Sequence, residues 1–118
     1  MNKIDYYERA TVYADALKTY GLTGQLLKTL EELTEVQVEI HRILEGRPDV
    51  HHLAEEVADA TLMLEQIRLF FGINDEVCEI MDAKVTRLRQ LIAARERLRP
   101  DLDALYDDKT ESGLFEED

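Results

Sequence analysis

At 118 residues and 45% hydrophobic content, the chain suits one domain around one core, near the small end of sizes that fold without staples. Its single cysteine, Cys78, excludes an internal disulfide, and no apolar run approaches the ~20 residues that span a bilayer. The net charge of −12 argues against a nucleic-acid polymer as partner. Eight acids and one lysine fall within residues 100–118, so the body is nearer balance than the total suggests. The first ten residues are charged and hold no apolar signal core, which leads us to expect a cytoplasmic protein.

Taken in order, Ile4, Tyr7, Ala10, Ala14 and Leu17 recur at spacings of three and four, which predicts an amphipathic helix over residues 4–20, stopped by Gly21. Thr23 is placed to cap a second helix that runs to about Glu45, where Gly46, Arg47 and Pro48 interrupt the pattern. Asp49 caps a third, from about Val50 to Phe71 and ended by Gly72. Asn74 or Asp75 opens a fourth, closed by Pro100. No alternating strand pattern or internal repeat interrupts this series. The expectation is an all-α fold, a four-helix antiparallel bundle over residues 1–99. It is followed by an acidic, mobile tail over 100–118 that keeps a short helical turn at Asp101 to Tyr106.

Five carboxylates sit inside two of these helical patterns: Glu31, Glu32 and Glu35 on the second helix, Glu56 and Asp59 on the third. An ionised carboxylate buried in a bundle without a partner costs several kcal/mol, roughly, so an inward-facing cluster calls for a cation. Residues three apart share a helix face, which makes Glu32 with Glu35, and Glu56 with Asp59, two-pronged ligands. Short connections make neighbouring helices antiparallel. Glu32 and Glu35 precede Arg47 by 15 and 12 residues, and Glu56 and Asp59 follow it by 9 and 12, so the pairs stand at nearly equal heights. Hard oxygen donors in this number suit magnesium or manganese; soft ligands are absent. A di-iron bundle fits less well, because no histidine follows a glutamate by three. Glu39, Glu45, Glu55 and Glu65 read instead as solvated helix acids.

The run Glu31-Glu32-Leu33-Thr34-Glu35, then 20 residues, then Glu56-Val57-Ala58-Asp59, resembles the E-E-x-x-E and E-x-x-D signature of the MazG-like nucleoside triphosphate pyrophosphohydrolases. The likeness spans about residues 22 to 95. It implies cleavage of a nucleoside triphosphate between its α and β phosphates, giving a monophosphate and pyrophosphate. Glu32, Glu35, Glu56 and Asp59 then hold magnesium, and Glu31 helps hold a second ion or orients the attacking water. Lys84 and Arg87 resemble the family's phosphate-contacting lysine and arginine. Where related sequences often carry asparagine, this one has Asp82, which we expect to face water. The related phosphoribosyl-ATP pyrophosphohydrolases share only the carboxylates.

Gln25 and Lys28 lie on the Glu32 side of their helix and are candidates to meet the base or phosphates of a nucleotide. His51 and His52 open the third helix and read as helix-opening residues, and Cys78 reads as a small buried residue. The tyrosines and Phe70–Phe71 read as core or interface. The third helix is apolar nearly all round, more than one small chain encloses, so a homodimer or homotetramer is expected. The rival to an enzyme is a non-catalytic helical module that binds a partner protein through its apolar faces.

Overall fold

Capping chemistry divides the chain into helices. In the computed structural model, which describes residues 3–102, α1 runs Tyr6–Leu44, α2 Val50–Phe70 and α3 Asn74–Leu102. The Asp5 side chain accepts from the Glu8 amide at 2.8 Å and opens α1; Asp49 does the same for α2, accepting from the His52 amide at 3.0 Å. Each satisfies one of the amides a helix start leaves without an intrahelical acceptor. Both α1 and α2 end alike. Arg47 N–H donates to Arg42 C=O and Gly46 N–H to Ile43 C=O, with Gly46 at φ 78°; Ile73, Arg68, Gly72 and Leu69 repeat the pattern. This six-to-one and five-to-two arrangement needs a left-handed residue after the cap, which glycine adopts without steric cost.

The predicted first and second helices are joined in one element. Gly21 has φ 77° and ψ 162°, a region open essentially to glycine alone, and helix continues on both sides of it. The stop expected at Gly21 is therefore a kink inside α1, with no separate loop before Thr23. Its consequence can be read from two contacts. Tyr13 reaches Glu65 and Gln25 reaches Gln66, although in a straight helix residues 13 and 25 stand ~18 Å apart. The kink turns the first arm of α1 back so that both meet the same level of α2.

The second arm of α1 and α2 pack as an antiparallel pair joined by a five-residue connection. Contacts recur in steps of seven: Gln25 meets Gln66, Glu32 stands with Asp59 and Glu56, and Glu39 meets His52. Seven residues bring a helix to within ~20° of the same direction, so each series keeps to one face. The seam is largely polar. Gln25, Thr29, Glu32, Glu39 and Gln66 are buried there; Tyr13, Ala60 and Met63 are the buried hydrophobic residues among those described. Thr29 is satisfied within its own helix, its hydroxyl donating to the Gln25 carbonyl.

The chain divides into two compact units, Met1–Val77 and Cys78–Asp118. α3 continues to Leu102, two residues past the proline expected to close it. Helix ends are loose by a residue or two, and proline's fixed φ lies in the helical range. The tail beyond Leu102, with most of its expected helical turn, lies outside the described residues. Cys78, expected to be buried, is exposed, and so are Ile80, Met81 and Val85 near it. Among the described residues no helix is long and apolar enough to cross a membrane.

Candidate metal centre

The central rung of the seam gathers three carboxylates. Glu32 from α1 and Glu56 and Asp59 from α2 each offer an oxygen, and these lie within 4.8 Å of one another. Antiparallel packing in this register follows from the short connection. The three-residue spacing of Glu56 and Asp59 then presents both to α1. Glu32 is buried, Glu56 largely withdrawn from solvent, and Asp59 exposed, so the cluster opens outward on one side.

The local electrostatics are short of positive charge. Lys28 places Nζ 2.9 Å from Glu32 Oε1 and 3.6 Å from Glu31 Oε2. That contact with Glu32, more than the one with Glu31, holds the lysine ammonium above its ordinary range. His52 Nε2 lies 3.2 Å from Glu56 Oε1. Asp59 has no hydrogen-bond or ion-pair partner among the described residues. Desolvation pushes the Glu56 carboxyl up, His52 opposes it, and the charges of Glu35, Asp59 and Glu32 add to the rise. A cluster of hard oxygen donors with more negative charge than its surroundings cancel fits a divalent cation of the magnesium class.

The other predicted site residues are distributed unevenly. Glu35 is exposed and outside the three-oxygen group, though near enough for its charge to act on Glu56. Glu31 is exposed and, among the described residues, engaged by Lys28. Gln25 is buried and its amide nitrogen donates to Gln66 at 2.7 Å, so that amide is occupied inside the seam. Lys84, Arg87 and Asp82 are exposed residues of α3 in the second unit.

Two acids read from the sequence as solvated are engaged within the fold, Glu39 buried and Glu65 half-buried. Glu39 is 2% exposed, with Oε1 2.9 Å from His52 Nδ1 and Oε2 3.5 Å from Arg42 Nε. Oε1 stands within ion-pair distance of His52 Nδ1 and makes no hydrogen bond among the described residues. This contact raises the imidazole's affinity for protons, against the opposing effect of desolvation. His52, expected merely to open a helix, therefore bridges Glu39 and Glu56. Seven residues separate Glu32 from Glu39, a signal in the sequence that both face the same way.

Glu65 is the second. Its Oε1 accepts from the Tyr13 hydroxyl at 2.6 Å and from Arg9 Nη1 at 3.1 Å. Burial first, then the bond to Glu65, pushes the Tyr13 phenol well above the usual tyrosine range. A cleft of about 260 Å³ opens here, lined by residues that include Tyr6, Arg9, Tyr13, Glu65 and Arg68, and it does not extend over the carboxylate cluster.

Compared with family models, with curated proteins and with solved structures, the chain matches none.

Proposed function

We propose that this protein is a metal-dependent nucleoside triphosphate pyrophosphohydrolase that converts a (d)NTP to a (d)NMP and pyrophosphate. The observation that carries the reading is the meeting of Glu32, Glu56 and Asp59 across two facing helices, within 4.8 Å and with too few cations of their own. These residues would hold magnesium, or manganese in its place, together with Glu35, whose charge acts on Glu56. The ion would supply charge screening for the triphosphate and a more acidic attacking water. Glu31, exposed on the same helix, would orient the attacking water, and Lys28, now paired with Glu32, would contact a phosphate oxygen. Gln25 serves the seam through Gln66 and is not needed for the substrate.

The bundle is completed by a second copy of the chain, as a homodimer or a pair of them. Val57, Leu62, Leu64 and Leu69 on α2, and Val85, Leu88 and Leu91 on α3, are exposed in the single chain. Apolar residues left exposed along a helix ordinarily mark an interface. Those of α2 and those of α3, each taken by itself, also favour a non-catalytic, partner-binding module.

Incubating the pure protein with magnesium and each NTP and dNTP separates the two readings. The enzyme releases pyrophosphate from at least one of them, and Asp59→Asn or Glu56→Gln reduces release to background. Variants as active as the wild type refute the assigned site. A chain that sediments as a monomer and turns over no nucleotide favours the partner-binding module.

A further inference from the structure

The buried rung next to the carboxylate cluster has no part in the signature that suggested the enzyme, yet it touches the cluster directly. His52 is the link. Its Nδ1 faces Glu39 Oε1 at 2.9 Å and its Nε2 faces Glu56 Oε1 at 3.2 Å, so one rigid ring spans a buried acid of α1 and a cluster acid of α2. Glu39 is nearly inaccessible, at 2% exposure, and cannot move without carrying a charge through the packed seam. The ring therefore lies between the two carboxylates, with one nitrogen within ion-pair distance of each.

We infer that His52, anchored on Glu39, is a positioning residue that fixes the Glu56 carboxylate for a divalent cation. The inference rests on the proposed metal-dependent activity and adds two residues to its site. A glutamate has three side-chain torsions, and holding one oxygen removes most of that freedom before the ion arrives. Partners of this kind orient ligating carboxylates, and their loss typically lowers metal affinity ~10–100-fold.

Two substitutions separate positioning from simple structural support, because each keeps a different end of the ring. The amide of His52→Asn stands where Nδ1 stood and keeps a donor to Glu39, but it does not reach Glu56. The amide of His52→Gln reaches the Nε2 position and loses Glu39. The experiment measures binding of Mn²⁺ to the full chain at one fixed pH by electron paramagnetic resonance of the free ion, with the metal-free melting temperature read in parallel.

For positioning, the two readouts cross. His52→Asn melts near the wild type but binds Mn²⁺ ~10–100-fold more weakly. His52→Gln melts lower, because Glu39 is left buried with less compensation, and keeps an affinity closer to the wild type. The inference is overturned if His52→Asn binds Mn²⁺ as tightly as the wild type or more tightly, the latter marking the imidazole as a competitor of the ion. It is equally overturned if both variants lose affinity to the same degree, or in step with their melting temperatures. A wild-type chain that binds no Mn²⁺ removes the metal-dependent function itself, and this inference with it. Binding that is intact in both variants removes the inference alone.

Discussion

Two groups of acids line the same helix pair and are treated in opposite ways. At Glu65 the chain brings its own positive charge and donor: the Arg9 guanidinium at 3.1 Å and the Tyr13 hydroxyl at 2.6 Å. At Glu32, Glu56 and Asp59, three carboxylates share one lysine and one histidine among the described residues, and Asp59 has no hydrogen-bond or ion-pair partner among them. The first group is finished as it stands, while the second is a charge imbalance built into the fold. Acid content alone therefore does not mark a cation site. The mark is a deficit of cations where carboxylates converge and solvent is partly excluded.

The comparison can be broken most directly with magnesium. If the deficit is a binding site, magnesium at a hundredfold excess over its dissociation constant stabilises the folded protein by about 2.7 kcal/mol. Thermal melts read this as a raised transition that Asp59→Asn abolishes. Glu65→Gln leaves it intact, since that acid is already neutralised from within. An equal loss in both variants makes the two acid groups alike and ends the distinction.

The neutral rung gives a smaller effect. Gln66→Leu strands the buried Gln25 amide, which costs about 1–3 kcal/mol by urea denaturation, and the further change Gln25→Leu recovers much of it. A double variant no better than the single shows that the amide pair is not what holds that level of the seam.

The self-sufficient end is tested by removing one hydroxyl. Tyr13→Phe lowers stability by about 1.5–3 kcal/mol, the scale of a hydrogen bond to a charged acceptor. In an ultraviolet pH titration of the folded wild type, Tyr13 ionises above the usual tyrosine range, and Glu65→Gln lowers that transition.

The smallest effect is at His52. Its folded value is raised above the ordinary 6.5 by Glu39, so the stability it contributes is complete below that ordinary value and fades as pH rises through the raised one. Nuclear magnetic resonance follows the ring through this range and finds its midpoint lowered in Glu39→Gln. A midpoint unmoved by that substitution shows that the short Nδ1 contact does not persist in solution.

Much of this architecture is legible in the residues, for local reasons. Asp49 as a cap, Gly46 and Gly72 as stops, and the antiparallel hairpin they imply depend on neighbours a few positions away. The facing of Glu32 with Glu56 and Asp59 follows from counting residues on either side of a short connection. Glu39 and Glu65 were misread because a glutamate's fate depends on what stands opposite, and Arg9 and His52 are distant in sequence. The count of seven from Glu32 places Glu39 on the seam, but not its partner.

Amino-acid order by itself determined that the chain is helical and where its helices turn, since caps, glycines and apolar spacing act within a turn or two of backbone. It also determined which carboxylates share a height. Only the tertiary structure decided which acids are answered by the chain's own cations and which are not. That outcome depends on the kink at Gly21, which brings Tyr13 and Arg9 to Glu65, and on the burial of Glu39 against His52. Both arise from packing between segments tens of residues apart, where desolvation and Coulomb attraction are set by proximity in space.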